Sequence, residues 1–236
     1  MKKEIETNFF WRGDDFQFLN RLTILSHLIV GHKVKIWLSG SEPKSKYWID
    51  DIKDIQIENA DDIADIDTFL KLPRANVRTA ASLFRFKYLY KFGGLYCDTD
   101  MVALKKFPDN EWIIVSYDDN VIAIGIIKAP KEHPLFVDCI KKIQARWGNV
   151  YIFTKYCGKH RLKKTHPNNY FYPKSVLNKG KGLLKNTEIP NSYSIHLYFN
   201  GASNKNIDHN TIKKYPDSLL AKLQKKVFQN YSLFKR

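Results

Sequence analysis

The sequence predicts an α/β fold, and two observations support this prediction. Short apolar runs alternate with longer segments whose apolar residues recur at helical spacing. A pair of glycines separates the clearest of these helices from the strand that follows it. The 236 residues, 44% of them hydrophobic, supply enough apolar material for one sizeable core, so we expect a single domain over residues 1–236.

The first seventy residues predict a βαβ opening followed by further elements. Three apolar runs are predicted as strands, at residues 5–11, 33–38 and 55–59. Between the first two, the apolar residues follow helical spacing, with Asp14 or Asp15 as the expected N-cap and Gly31 as the expected stop. Residues 61–72 are expected to contain another helix.

The clearest helix covers residues 74–91, where apolar residues recur at steps of three and four. This stripe consists of Val77, Ala81, Phe84, Tyr88 and Phe92, and the opposite side carries Arg74, Arg78, Ser82, Arg85 and Leu89. Gly93 and Gly94 are expected to end the helix, because glycine adopts left-handed conformations without strain at Cβ. Asp98 and Asp100 would then lie at the carboxyl end of the next strand, where open α/β sheets bind ligands.

The second half of the chain is predicted from shorter signals. Strands are expected within residues 101–107, 111–117, 121–129 and 192–203. A helix is expected to begin near Pro134 with Leu135, Cys139 and Ile143 buried, whereas 147–190 is expected to be mostly loop. Residues 217–236 form a basic amphipathic helix whose apolar stripe, Leu219, Leu220, Leu223, Val227 and Tyr231, either packs on the domain or docks on an anionic membrane.

Composition limits the classes of partner and compartment. The formal charge of +15 favours anionic partners such as a nucleotide diphosphate, an anionic membrane or a nucleic acid. Cysteines at positions 97, 139 and 157 form no CxxC pair, which argues against a disulfide framework or a zinc ribbon and favours a reducing compartment. Because no apolar segment has the length of a signal peptide or a spanning helix, we expect a cytoplasmic protein, soluble or peripheral at the membrane.

The acid pair Asp98 and Asp100 suggests a metal site. Two carboxylates one residue apart at a strand end point into one pocket, and Mg²⁺ and Mn²⁺ prefer oxygen ligands of this kind. Such a cation can bridge to a diphosphate and stabilise its charge as it leaves. The plain alternative is a solvated turn.

Residues 78–100, RTAASLFRFKYLYKFGGLYCDTD, resemble the DXD-containing sugar-binding region of glycosyltransferases. That family includes yeast initiating mannosyltransferases, bacterial capsule and lipopolysaccharide transferases and, more distantly, the large clostridial glucosylating toxins. The positions in register are Ala81, Arg85, Phe86, Phe92, Gly93, Gly94, Tyr96, Asp98 and Asp100. Weaker similarity extends to Phe10, Trp11, Gly13, Ile36, Trp37 and His196.

The resemblance implies a GT-A type, Rossmann-like nucleotide-sugar-binding fold with a mixed central sheet. Residues 1–103 would form the nucleotide-sugar half and 104–236 the acceptor half. The implied reaction moves a sugar, with retention at the anomeric carbon, from a nucleotide-diphosphate sugar donor to a glycan or lipid-linked acceptor, using Mn²⁺ or Mg²⁺. The expected setting is surface polysaccharide synthesis.

The resemblance also implies roles for single residues. Asp98 would contact the donor ribose and the metal, and Asp100 would ligate the metal directly. His196 would lie near the metal or the diphosphate, with Asn200 and Ser203 as substitutes. The plain alternative for His196 is a hydrogen-bonded core histidine.

Three further residues are expected to bind the donor. Trp11 would stack on the nucleobase, and Arg85 would contact the donor sugar or its phosphates. Ser82 stands where family members commonly carry an Asp associated with donor-sugar hydroxyls, so the identity of the sugar is open. The plain alternatives are a core aromatic for Trp11 and a surface helix arginine for Arg85.

Other mechanisms and functions stay open on the sequence. An inverting enzyme would need a positioned carboxylate, for which Asp118, Asp119 and Glu132 are candidates. A haloacid-dehalogenase-like phosphatase would use Asp98 as nucleophile and Asp100 as general acid, but Ser116 and the acids at 118–119 come too soon for the rest of its set. A nucleic-acid-binding module would explain the basic charge, but no helix-turn-helix, RRM or zinc-finger pattern is present, so no nucleic acid partner is expected.

Overall fold

The computed structural model describes residues 4–116, 120–143, 149–173, 182–197 and 207–234. Within them the strands are Glu6–Arg12 (β1), Lys33–Ser39 (β2), Ile55–Asn59 (β3), Gly94–Cys97 (β4), Met101–Ala103 (β5), Ile126–Ala129 (β6) and Ser194–His196 (β7). The α-helices are Phe18–Ile29 (α1), Ile66–Leu70 (α2), Val77–Phe92 (α3), Pro134–Lys142 (α4), Asn149–Lys159 (α5), His209–Lys213 (α6) and Leu219–Phe234 (α7). Single 3₁₀ turns lie at Ala60–Asp62 and Asn168–Tyr170. The prediction of an α/β fold is therefore confirmed.

The central sheet has five strands in the order β3-β2-β1-β4-β6. Strands β1 to β4 are parallel to their neighbours and β6 is antiparallel to β4, so the sheet is mixed, as expected. Strands β5 and β7 form a separate antiparallel ribbon in which Met101 pairs with His196. This pairing brings His196 next to the residue that follows Asp100.

Apolar side chains pack on both faces of the sheet. On one face Phe9 belongs to a cluster with α1 and α7, where the rings of Phe18 and Phe228 stack at 5.9 Å. On the other face Phe10 stacks on Phe84 of α3 at 4.9 Å, and α4 and α5 cover the outer side of α3. Alternate residues of β1 thus enter opposite cores, as the twofold period of a strand requires.

Helix α1 begins later than predicted. Its N-cap is Gln17, not Asp14 or Asp15, because the backbone N–H of Gln17 donates to the side-chain oxygen of Asn20 at 2.9 Å. Gly31 follows the C-cap with φ of 82°, which confirms it as the stop.

Helix α3 is confirmed, but its predicted one-sided burial is wrong. Ser82, Arg85 and Leu89, assigned to the polar side, are all buried, while Val77 and Phe92 at the ends of the predicted stripe are exposed. The reason is the second helical layer, since α4 and α5 cover the side of α3 that faces away from the sheet. Asn76 caps the helix by accepting from the N–H groups of Arg78 and Thr79.

Gly93 and Gly94 end α3 as predicted, with φ of 65° and 80°. Gly93 also meets a close approach of the backbone, because a Cβ at this position would lie 2.5 Å from the Lys131 nitrogen and 2.9 Å from the Ala129 oxygen. No other residue type fits between α3 and the chain leaving β6.

The second half departs most from prediction. The loop expected over 147–190 contains α5, and the strand expected at 111–117 is reduced to isolated bridges at Ile113, Val115 and Ser116 within the described residues. The strand expected at 192–203 is confirmed only for Ser194–His196, since 198–206 lie outside the described residues. Ile143, expected to be buried, is only half-buried.

Helix α7 packs on the domain. Its apolar stripe from Leu219 to Tyr231 is buried against α1, so the packing alternative is confirmed and the stripe is not free to enter a membrane. Across the ranges that the structure describes, every helix is too short or too polar to span a bilayer.

Candidate active site

The turn from Asp98 to Asp100 lies at the carboxyl end of β4 and is held by backbone hydrogen bonds. The N–H of Asp98 donates to the Gly125 carbonyl at 2.7 Å, and the N–H of Met101 donates to the Asp98 carbonyl at 3.1 Å. The Asp100 carbonyl accepts from the N–H of Leu197 at 2.8 Å. The turn is thus fastened to the segment before β6 and to the end of β7.

Helix α1 fastens the turn from the other side. The side-chain amide of Asn20 donates to the carbonyl and the hydroxyl oxygen of Thr99, at 3.2 and 3.3 Å. Nε2–H of His27 donates to the Met101 carbonyl at 2.9 Å. Both α1 side chains are buried, so they form fixed supports for the acid pair.

The structure brings Asp98, Asp100 and His196 together. One potential ligand atom from each lies within 4.8 Å of the others. Nε2 of His196 is 3.1 Å from Oδ1 of Asp100, a contact that follows from the β5–β7 pairing. Among the described residues this is the one such group of histidine, cysteine and acidic side chains.

The electrostatics of this cluster favour a bound cation. Burial raises the pKa of Asp98, and the neighbouring Asp100 raises it further, although Arg85 and His196 act in the opposite direction. Burial by itself would lower the pKa of His196, but Asp100 and Asp98 outweigh it and raise that pKa. Arg85 and His196 partly balance the two carboxylates, and a cation bound between the acids would further favour their charged forms.

Arg85 supports the cluster through an ion pair with Asp98. Its side chain is 3% exposed, and Nη2 forms an ion pair with Oδ1 of Asp98. The guanidinium lies over the ring of Tyr96, 4.6 Å from the ring centre. The surface-arginine alternative is therefore wrong, because the guanidinium is buried against Asp98 and Tyr96 at the end of β4. The supporting role of Tyr96 was not predicted, although this residue belongs to the motif.

A cleft of about 300 Å³ opens beside the cluster. Asp98, Tyr172 and His196 line it, together with the segment before β6 and the start of α5. A side chain at Gly125 would intrude on this space, because its Cβ would lie 2.7 Å from the Tyr172 hydroxyl and 3.2 Å from Oδ2 of Asp98. The cleft can admit a small ligand group next to the carboxylates.

Comparison with known proteins identifies the region that carries this cluster. Residues 25–118 match the family described as the glycosyltransferase sugar-binding region containing the DXD motif. They include α3, β4 and both acids of the cluster, so the resemblance inferred from the sequence is confirmed.

A curated relative agrees with this glycosyltransferase match, and a solved structure agrees with the fold. Lactosylceramide 4-alpha-galactosyltransferase of Rattus norvegicus is 27% identical over 108 residues, which cover 38% of this chain and 30% of the relative. The chain therefore matches less than a third of that protein's length. The PaToxG glycosyltransferase superposes with a TM-score of 0.51 and 14% identity, covering 66% of this chain and 69% of that chain. The GT-A fold is thereby confirmed.

Two of the predicted donor-binding residues, Trp11 and Ser82, donate hydrogen bonds to backbone carbonyls close to them in sequence. Nε1–H of Trp11 donates to the Gly13 carbonyl at 2.7 Å, and the partly exposed indole packs edge-on against Phe16. The Ser82 hydroxyl donates to the Arg78 carbonyl within α3 at 3.2 Å. Their roles toward a donor stay predictions.

The structure describes only one of the alternative metal ligands and catalytic bases. Asn200, Ser203, Asp118 and Asp119 lie outside the described residues. Glu132 follows β6, which runs antiparallel to β4, and its N–H donates to the Tyr90 carbonyl near the end of α3. It therefore lies at the edge of the sheet opposite Asp98, and its candidacy as a catalytic base is wrong.

Sequence reasoning missed several residues that shape the site. Asn20 and His27 look like interruptions of an amphipathic helix, and a polar residue on an apolar helix face was the signal that could have indicated them. Gly125 and Tyr172 carry no comparable local signal, because only the fold places them against Asp98.

Proposed function

We propose that the protein is a metal-dependent glycosyltransferase that moves a sugar from a nucleotide-diphosphate sugar to a glycan or lipid-linked acceptor. The observation that carries this proposal is the gathering of Asp98, Asp100 and His196 within 4.8 Å at the carboxyl end of β4. The GT-A fold and the DXD family match support the reaction class. The phosphatase alternative loses its support, because it depends on a different fold.

The residues present fit a hard divalent cation. Two carboxylates and one imidazole are a donor set that suits Mn²⁺ or Mg²⁺, and the pKa of Asp98 is raised partly by its neighbour Asp100. Asp98, Asp100 and His196 would hold the ion. When bound, it would stabilise the negative charge that develops on the departing nucleotide diphosphate.

The protein's own side chains orient the two acids. Arg85 holds one oxygen of Asp98 and His196 lies against one oxygen of Asp100, and these contacts fix the orientation of the two carboxylates. Because Arg85 is buried against Asp98, we propose that it positions this carboxylate and does not contact the donor directly. Trp11, at the carboxyl end of β1 with a partly exposed ring, remains our candidate for nucleobase stacking.

Retention at the anomeric carbon is proposed from the family resemblance. The position of Glu132 at the far edge of the sheet removes one of the carboxylates that an inverting enzyme would need. The glycan or lipid-linked acceptor is in keeping with the name of the rat relative, a lactosylceramide galactosyltransferase. We place the reaction in surface polysaccharide synthesis.

We propose peripheral contact with an anionic membrane through exposed lysines, because the apolar stripe of α7 is buried against α1. Lys213, Lys214, Lys225 and Lys226 are exposed on α6, α7 and the turn after α6. Each lysine near an anionic surface contributes about 1 kcal/mol. Co-sedimentation with phosphatidylglycerol vesicles should fall when all four are changed to Gln, and unchanged co-sedimentation would rule this surface out.

The proposed function is tested by screening nucleotide sugars for hydrolysis with Mn²⁺ or Mg²⁺. We expect one donor to be hydrolysed, with activity lost on adding EDTA and in Asp100→Asn. Asp50→Asn, which changes an exposed acid distant in sequence, is the matched control and should behave as wild type. Hydrolysis indifferent to both EDTA and Asp100→Asn would contradict the mechanism, and phosphate release from p-nitrophenyl phosphate alone would favour a phosphatase.

A further inference from the structure

The cleft beside the acid cluster has one polar end and several apolar walls. Asp98, Tyr172 and His196 form the polar end. Among the described residues, the other lining side chains are apolar apart from one phenol group, and comprise Val121, Ala123, Ile124, Gly125, Val150 and Tyr151. Polar and apolar side chains thus line one cleft of about 300 Å³, which indicates a ligand with one polar and one apolar group.

The apolar walls are built as one unit with the catalytic turn. The Gly125 carbonyl accepts from the N–H of Asp98, so the segment before β6 moves with the carboxylate. The N–H of Ile122 in the same segment donates to the Thr154 hydroxyl of α5 at 3.0 Å. The two apolar walls are thus tied to each other and to Asp98.

Tyr151 stands at the mouth of this cleft. Its side chain is 65% exposed, although it adjoins the apolar wall through Val150. Tyrosine is suited to such a place, because the ring supplies apolar contact area while the hydroxyl stays in water. An apolar ligand group lying along Val150 and Ile124 would cover the ring.

The charge requirements of the two substrates decide which of them occupies the apolar walls. A diphosphate and its cation need the charged groups at the polar end. Sugar hydroxyls placed against Val121, Ala123 and Ile124 would lose their hydrogen bonds to water without replacement, which is unfavourable. The apolar walls therefore suit the non-sugar part of an acceptor, with the reacting sugar hydroxyl turned toward Asp98.

We propose that this cleft is the acceptor subsite and that it takes a sugar linked to an apolar aglycone, the chemistry of a lipid-linked acceptor, with Tyr151 lying over the aglycone. The assignment rests on the proposed glycosyltransferase function and narrows its acceptor from glycan or lipid-linked to lipid-linked. A free glycan lacks the group that these walls would bury.

The first measurement compares octyl and methyl β-D-galactosides, and the same pair of glucosides, below the micelle concentration of the octyl compounds. Binding to the full chain with Mn²⁺ is followed by calorimetry. Since each buried methylene contributes about 4-fold to affinity, we expect the octyl glycoside to bind at least about 10-fold more tightly than its methyl partner. Equal affinity would overturn the proposal.

The second measurement uses variants at the mouth of the cleft. Tyr151→Ala should weaken octyl glycoside binding about 10-fold, and Tyr151→Phe should retain it, because the ring and not the hydroxyl makes the contact. Tyr215→Ala removes a tyrosine that is also largely exposed, at 47%, but does not line the cleft, and it should bind as wild type. Wild-type affinity in Tyr151→Ala, with an unchanged melting temperature, would also overturn the proposal.

Nucleotide-sugar hydrolysis separates failure of this proposal from failure of the proposed function. If the wild type hydrolyses a nucleotide sugar but octyl glycosides neither bind nor accept the sugar, the subsite is wrong and the function stands. If no nucleotide sugar is turned over, the function fails, and the acceptor assignment fails with it even where octyl glycosides bind.

Discussion

The side-chain amide of Asn20 donates to the carbonyl of Thr99, the middle residue of the DXD turn, at 3.2 Å. The carbonyl oxygen of the same amide accepts the N–H of Gln17 at the start of α1. A single buried residue therefore caps a helix and fastens the turn that carries both acids. The spacing of Asp98 and Asp100 depends on this link as well as on β4.

Asn20→Asp should weaken metal binding more than it weakens the fold. The aspartate keeps an oxygen for Gln17 but loses the donor to Thr99, so the carbonyl of Thr99 is left facing a second acceptor. We expect Mn²⁺ affinity to fall about 10-fold, in keeping with the effect of residues that support metal ligands. Calorimetric titration with Mn²⁺ measures this, and Asn20→Ala, which also removes the cap, should in addition lose about 1 kcal/mol of unfolding free energy. Wild-type affinity in both variants would contradict the supporting role.

Arg85→Met should destabilise the fold, because it leaves the Asp98 carboxylate without its ion-pair partner in a confined site. We expect a loss of about 2 to 4 kcal/mol in urea unfolding, allowing for the 30% exposure of the Asp98 side chain. Asp98→Asn in the same chain should recover part of this loss.

The ion pair of Arg12 with Asp67 is the matched control. The two atoms are 2.6 Å apart, but the Asp67 side chain is 67% exposed. Arg12→Met should therefore cost less than about 1 kcal/mol. Equal losses in the two arginine variants would mean that burial of Arg85 does not matter to its pairing.

Stability should fall as the pH is lowered from 6.5 toward 4, because of two buried histidines. Burial lowers the pKa of His27 to about 4, and burial together with His27 and Lys106 lowers the pKa of His32 to about 2. Nε2 of His32 accepts the N–H of Phe107, which requires a neutral ring, and Nε2–H of His27 donates to the Met101 carbonyl. Between pH 4 and 6.5 the two histidines bind protons in the unfolded chain but not in the folded chain. The free energy of unfolding therefore rises with pH.

The size of this effect can be measured. Urea unfolding between pH 7 and pH 4 should show a loss of roughly 3 kcal/mol from His27 alone. In His27→Gln, whose amide can still donate to Met101, the slope of stability against pH should become shallower even if stability at pH 7 is lower. Identical slopes in the variant and the wild type would show that folding does not lower the pKa of His27.

Gly93→Ala should be far more harmful than Gly158→Ala. At Gly93 the φ of 65° and the predicted approach of Cβ to 2.5 Å from the Lys131 nitrogen force either α3 or the chain after β6 to move. We expect a loss of at least about 3 kcal/mol, or failure to accumulate as folded protein. Gly158 lies in α5 with nothing near its Cβ position, so alanine there should be neutral or stabilising by up to about 1 kcal/mol. Thermal unfolding of the two variants makes the comparison, and equal melting temperatures would contradict it.

Local sequence signals determined the first half of the fold and the position of the acid pair. Strands β1, β2 and β3 and helix α3 can be predicted from the spacing of their apolar residues and from the residues at their ends. This is because their own side chains and glycines set their backbone conformation. The glycine pair after α3 places Asp98 and Asp100 at a strand end without reference to the rest of the chain. The DXD family match, over residues 25–118, contains this stretch.

Only the tertiary structure decided how those acids are supported. His196 reaches Asp100 through pairing between β5 and β7, strands more than ninety residues apart, and such a partner leaves no local pattern. Arg85 is buried because its guanidinium lies against Tyr96 of β4 and Asp98, and the apolar stripe of α7 meets α1 instead of a membrane. A sequence period reports that a face is apolar, but the packing of distant elements determines what covers it.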